Sequence, residues 1–232
     1  MTLTLTFVRH GQTVLNSRRH LQGACDSPLT RTGRAGVRVT AQHLSRHEFA
    51  AAYSSPQGRA VLTAIEILRH HPDLRLSVDE DLRELSFGAF ERRPERELDA
   101  VVPWSTLVPA VLAGTHPGIG GGEPGAEFMA RVRAVLGRIV AAHDDAAGPG
   151  ADRDEHVLVV GHGLTLGAML ATIDPGGLVA LPNASVSTVE VSGGVARVVA
   201  AGVDVAGHGS VAARPGLAAA AAPAPAAAPL SA

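Results

Sequence analysis

The sequence has no lysine; all 20 of its basic residues are arginine. With its many Ala, Gly and Pro residues this marks a GC-rich coding bias, so a single arginine carries little meaning alone. Cys25 is the one cysteine, which excludes an internal disulfide and fits a reducing compartment. Aromatic residues are scarce, with five Phe, one Trp and one Tyr, and the formal net charge is −2. Both features argue against a nucleic-acid-binding surface, and the charge gives no field toward an anionic membrane. No apolar run reaches the roughly 18 residues that a membrane span needs. The N-terminus lacks a basic region followed by an apolar one. The expectation is a soluble cytoplasmic protein without nucleic-acid or membrane partners.

What is present begins with Leu3 to Gly11, LTLTFVRHG. Leu3, Leu5 and Phe7 alternate with Thr4, Thr6 and Val8, so the stretch reads as a strand. It delivers Arg9 and His10 to the edge of a sheet where open α/β folds bind ligands. Residues 11–29 are polar and broken by Gly and Pro, a loop with at most one helical turn. Thr30 can cap a helix from Arg31 to Arg46 with Val37, Ala41 and Leu44 buried. Residues 49–54 read as a strand. Ser55 and Pro56 then suit the cap and first position of a helix, which puts Arg59 in its first turn. There its guanidinium either joins the helix's positive end as an anion site or lies exposed on the surface.

Residues 74–78 give a third strand, and Asp79 to Glu91 carries several carboxylates. Short helices are expected at 95–102 and 105–113, and GIGGGEPG at 118–125 as a flexible loop. That loop lacks the spacing of a dinucleotide fingerprint. Residues 126–142 have helical periodicity through Phe128, Val132, Leu136 and Ile139. The polar stretch from His143 to Glu155 shows no metal-ligand spacing and reads as solvated. His156 to Val160 is a continuous apolar strand ending in Gly161-His162-Gly163, followed by an apolar helix to Ile173. Val186–Val191 and Val195–Val199 form a hairpin at the sheet edge.

This order of elements predicts an α/β three-layer sandwich with a mostly parallel central sheet and helices on both faces. Its domain spans residues 1–205, with a small cap at about 92–125. Residues 206–232, Ala/Pro-rich toward the end, are expected to be a disordered, mobile tail. Two strand-end histidines on neighbouring strands, each next to glycine, and a helix-start arginine suggest a phosphoryl pocket. Gly163 belongs with its substrate contacts, since glycine lets a ligand approach the backbone.

The stretches FVRHGQTVLN, LQGACDSPLTRTG, YSSPQGRAVLTA, LRELSFGAFE and VVGHG resemble, in order, the histidine phosphatase (phosphoglycerate mutase-like) superfamily, in its phosphatase branch. The resemblance implies that His10 takes the phosphoryl group as nucleophile, and that Arg9, Arg59 and His162 bind it. His162 would do so as a protonated imidazole. Asn16, Gln22 and Gly23 match secondary phosphate or substrate contacts. Glu84 matches the general acid/base; by spacing alone Glu80, Asp81 and Glu91 remain open. The implied enzyme is a metal-independent phosphomonoesterase, a histidine acid-type phosphoric monoester hydrolase, with no cofactor and a small phosphomonoester as substrate. The alternatives are a cofactor-dependent phosphoglycerate mutase and a catalytically silent protein-binding member. Pro124 departs from the family's Ser after Gly-Gly-Glu. A homodimer through the sheet edge is compatible with the fold, but no residue specifies it.

Overall fold

The apolar runs become strands β1 (Leu3–Arg9), β2 (Ala51–Ser54), β3 (Leu76–Val78), β4 (Glu155–Gly161), β5 (Val186–Ser192) and β6 (Val195–Val203), with a two-residue β7 (Ala228–Pro229). They lie in one sheet in the order β3-β2-β4-β1-β5-β6-β7 in a computed structural model that describes residues 2–144, 154–207 and 228–229. Pairing is parallel from β3 through β2 and β4 to β1, and antiparallel from β1 outward through the β5–β6 hairpin. The Ala/Pro-rich tail lies outside the described residues, apart from β7 beside β6.

The helices are α1 (Val14–Ser17), α2 (Arg31–Leu44), α3 (Gly58–Leu68), α4 (Glu95–Asp99), α5 (Trp104–Leu112), α6 (Gly125–Asp144) and α7 (Gly163–Ile173). Strand alternation separates two cores. Leu3, Leu5, Phe7, Val157 and Val159 pack with α5, α6 and α7. Val8, Leu158 and Val160 point the other way and pack with Ala41 and Leu44 of α2 and Ala60, Ala64 and Ile67 of α3. The central strands are therefore apolar on both faces, as a sheet covered on both sides requires. Among the described residues no helix is long and apolar enough to cross a membrane.

Two local expectations are corrected. The third helix starts at Gly58 with Gln57 as its cap, not at Pro56, because Ser55 is engaged elsewhere (below). Helix α2 does begin at its Thr30 cap, whose side chain accepts from the Gly33 amide. The 118–125 loop is pinned rather than loose: Glu123 N donates to the Ser86 carbonyl and Ala89 N to that of Gly120. Glu123 also holds Arg131 through both carboxylate oxygens.

At the N-terminal end of β4, remote from the strand ends that carry His10 and His162, several histidines gather around Phe49. The His156 ring lies 4.6 Å from Phe49 and 5.0 Å from His47 between centroids, and His71 lies 5.1 Å from Phe49. Burial, then the charge of His47, pushes the His156 pKa down to about 4. His47 and His71 are lowered as well, chiefly by burial. An unfolded histidine titrates near about 6.5, so below that pH the unfolded chain binds more protons than the folded one. The stabilisation from these neutral histidines is complete above about pH 6.5 and is lost as pH falls toward about 4. The thermal midpoint should fall between pH 7 and 5, and His156→Gln should flatten that fall; parallel profiles for the two proteins would contradict it.

Candidate active site

The end of β1 is clamped before any ligand is considered. His10 N donates to the Gly161 carbonyl of β4 (2.9 Å), and Gly11 N to Thr63 Oγ1 of α3 (3.1 Å). The His10 carbonyl accepts from Asn183 Nδ2 (3.1 Å). A Cβ at Gly11 would lie 2.5 Å from Val37 Cγ2 of α2, so the residue after His10 must be glycine for α2 to pack here. The sheet register pairs Arg9 with Gly161, which places His10 and His162 at adjacent strand ends. Their ring centroids are 5.2 Å apart.

His10 is buried, and its Nδ1 lies 2.8 Å from its neighbour's carbonyl, Gly11 O. A carbonyl only accepts, so Nδ1 carries the proton and Nε2 keeps its lone pair. Burial first, then the guanidinium groups of Arg59 and Arg9, hold the His10 pKa well below the usual histidine value, against the opposing Gly11 carbonyl. The ring is therefore neutral, with one nitrogen fixed and the other nucleophilic.

Arg59 is 1% exposed, not a surface residue. Its Nε donates to His162 Nδ1 (3.2 Å), one terminal nitrogen to Cys25 O and Asp26 Oδ1, and the other to Gly23 O and Gln57 Oε1. Every guanidinium nitrogen thus has a protein acceptor, and direct contact with a phosphoryl oxygen requires one bond to exchange. Turned so that both ends of its amide are satisfied, Gln22 also accepts from Arg59 and donates to Thr13 and Ser27.

His162 is fully buried and uses both ring nitrogens: Nδ1 accepts from Arg59, and Nε2 lies 2.6 Å from Ser55 Oγ. Burial, then the charges of Arg59, His10, Arg9 and Arg131, lower its pKa well below the usual value. Without a phosphoryl group in the site, the ring is neutral and Nδ1 is an acceptor.

Glu84 is buried and meets the first turn of α7, the helix that begins after His162. Its Oε2 accepts from Leu164 N (2.9 Å), and its Oε1 from Thr165 N and Leu85 N (3.0 Å each). A carboxylate at a helix N-terminus satisfies amides that have no intrahelical partner. Glu84 also lines the cavity described below, which Glu80, Asp81 and Glu91 do not. Glu91 is spent on structure instead: it accepts from the amides of Gly23, Ala24, Cys25 and Phe87. Burial raises its pKa, but these bonds and the Cys25 thiol outweigh that and lower it. A Cβ at Gly23 would strike Leu85 O at 2.0 Å, so the turn that Glu91 holds needs glycine. The Gly23 and Cys25 carbonyls are in turn acceptors for Arg59. Glu91→Ala should strand the four amides, lower stability by about 2–3 kcal/mol and cut kcat/KM at least tenfold. Thermal melts and steady-state kinetics check this; unchanged values for both would contradict it.

A cavity of about 150 Å³ opens beside these groups, lined by Arg9, Asn16, Gln22, Glu84 and Gly163 among others. His10, Arg59 and His162 lie buried next to it, His10 following Arg9 and His162 preceding Gly163. Gly23 does not line it and contributes its carbonyl to Arg59. Asn183 does line it, joining the His10 carbonyl to Asn16 Oδ1 (3.3 Å). Neither Asn183 nor Ser55 was marked by the sequence: one is an isolated loop residue, and the other carried a helix-cap signal. Segment 92–125 contributes Glu95, Trp104, Val108 and Leu112 to the far wall. Among the described residues no group of three or more His, Cys, Asp or Glu could hold a metal ion.

The chain is similar to known proteins in sequence and in fold. The chain is 33% identical over 176 residues to "Probable phosphoglycerate mutase GpmB" of Yersinia enterocolitica, covering 74% of each chain. It is 32% identical over 200 residues to "Putative phosphoserine phosphatase 2" of Hydrogenobacter thermophilus, covering 82% of this chain and 90% of that one. The solved phosphoglycerate mutase of Bacillus anthracis superposes with a TM-score of 0.77 at 27% identity, covering 88% of this chain and 95% of the other. The model of the histidine phosphatase superfamily (branch 1) matches residues 5–204, and the chain belongs to that superfamily.

Proposed function

We propose that the protein is a metal-independent phosphomonoesterase that works through a phosphohistidine on His10. The observation that carries this reading is the neutral, oriented His10 beside Arg9, its Nδ1 held by Gly11 O. Nε2 attacks phosphorus, and the bond to the leaving oxygen breaks. Arg9, with Arg59 after exchange of a protein acceptor, balances the charge spread over the equatorial oxygens. Arginine thereby supplies the cationic role a metal would otherwise play.

The dianion also offsets the two arginines around His162, which raises that ring's proton affinity once substrate is bound. Protonated on Nδ1, it can no longer accept from Arg59, and both groups then donate to the phosphoryl oxygens. Glu84, as acid, protonates the leaving oxygen; as carboxylate, it takes a proton from the water that hydrolyses the phosphohistidine. Asn16, Gln22 and Gly163 border the ester in the cavity.

A mutase returning the phosphoryl group to a second alcohol uses the same first half, and the Yersinia relative carries that name. The stretch after Glu84, Leu-Ser-Phe-Gly-Ala-Phe-Glu, resembles the phosphatase branch, and that resemblance supports hydrolysis.

The test is phosphate release from an aryl phosphate in excess chelator between pH 4 and 8. Release should resist the chelator, and the acid limb of kcat/KM should lie below about 6.5, because the depressed His10 stays neutral there. Loss of activity on chelation, or an acid limb above that value, would contradict the reading.

A further inference from the structure

The cavity next to the phosphoryl site has two contrasting ends. Near β1 and α7 it is polar, through Arg9, Asn16 and Glu84. Its lining also includes Trp104, Val108 and Leu112 of α5 and Leu178 and Val179 of the loop after α7, while the Leu181 carbonyl accepts from Arg9 at the polar end. Trp104 is fixed edge-on against Phe87, with ring centroids 6.0 Å apart. The cations of the outer wall are poorly suited to a second anionic group. The Arg19 side chain is 78% exposed and lies 3.8 Å from Glu95, whose carboxylate lines the same cavity. His20 directs Nδ1 to the Arg18 carbonyl at 2.8 Å. A substrate carboxylate here would compete with Glu95 for Arg19 and with the Arg18 carbonyl for His20, and would lie against apolar side chains.

Resting on the phosphomonoesterase reading, we infer that the preferred substrate is the phosphate ester of an apolar alcohol, and that Trp104 and Leu178, which line the same cavity, set this preference. Arg9 and Asn16 take the phosphate, and the apolar side chains remove the rest of the alcohol from water. A second charged group on the alcohol would be desolvated against those side chains.

The test is a series of unbranched alkyl phosphates from ethyl to hexyl, whose leaving groups have nearly equal acidity, with benzyl phosphate and 3-phosphoglycerate alongside. In the wild type kcat/KM should rise about three- to fourfold per methylene until the wall is covered. Benzyl phosphate should exceed 3-phosphoglycerate by at least about tenfold, since one ring buries several methylene equivalents. In Trp104→Ala the hexyl-to-ethyl ratio should fall at least fivefold, ~1 kcal/mol of lost burial. Leu178→Gln, at a half-buried loop position, provides the same ratio if Trp104→Ala does not fold. A flat alkyl series from an active enzyme, or a preference for 3-phosphoglycerate, overturns the apolar assignment and leaves the phosphohistidine chemistry standing. No release from any ester, an aryl phosphate included, overturns both.

Discussion

Replacing His10 with alanine is expected to lower kcat by at least about 10⁴-fold while the protein still folds. Removal of a covalent nucleophile has cost about 10⁶ in a well-studied hydrolase, and water cannot replace an imidazole fixed within reach of phosphorus. The size follows from how little else in the site can attack. His162 has both ring nitrogens engaged, by Arg59 and Ser55. Cys25 bonds toward Leu21 and Glu91, and burial first, then Glu91, pushes its pKa up to about 12, so its thiolate is scarce. The fold should survive because the clamps on residue 10 are main-chain bonds, to Gly161 O and from Asn183 Nδ2. Removing a buried ring leaves a cavity, so the melting temperature should fall by several degrees. A variant with normal thermal cooperativity and near wild-type kcat would show that another group attacks phosphorus.

Glu84→Gln should have the second largest effect, and its size should depend on the leaving group. For alkyl phosphates, whose alkoxide leaves poorly, kcat should fall by about 10²–10⁴, the usual range for general acid–base catalysis. For an aryl phosphate the first step needs little protonation, so the loss shifts to hydrolysis of the phosphohistidine. A burst of phenol followed by slow turnover is then expected, which a purely structural role would not produce. Glutamine can still accept from Leu164 N through its carbonyl, but one carboxylate oxygen is lost to the Thr165 and Leu85 amides. Glu84→Ala should therefore destabilise the protein more than Glu84→Gln, and melting curves of the two separate capping from catalysis. Equal kinetic losses for alkyl and aryl esters, without a burst, would remove Glu84 from proton transfer.

The parts of this site legible in the chain are those written in local pattern. Arg9-His10 and His162 follow apolar runs, so both belong at strand ends, and parallel pairing of β1 with β4 makes those ends neighbours. Thr30 and the helical periodicity of Val37, Ala41 and Leu44 fixed α2 to within two residues of its end. What the pattern could not show was decided by contacts distant in sequence. Arg59 reads equally well as an exposed helix-start cation, and its burial is made tolerable by the Asp26 carboxylate and the carbonyls of Gly23 and Cys25, with Gln57 and His162. Ser55 followed by proline is a strong helix-start signal, yet a buried His162 Nε2 needed a partner and outweighed it. The neutral state of His162 in the ligand-free site was not legible for the same reason: desolvation and the neighbouring arginines appear only after folding. Asn183 and Leu178 are brought to the site by the loop between α7 and β5, which has no periodicity.

The most direct test of the central claim is to mix enzyme and aryl phosphate, quench within milliseconds at alkaline pH, where phosphohistidine survives, and map the covalent phosphate by mass spectrometry. A phosphoryl group on His10, absent from His10→Ala and accumulating in Glu84→Gln, is the predicted result. Phosphate on another residue, or turnover in Glu84→Gln with no covalent phosphate at any time, would contradict it.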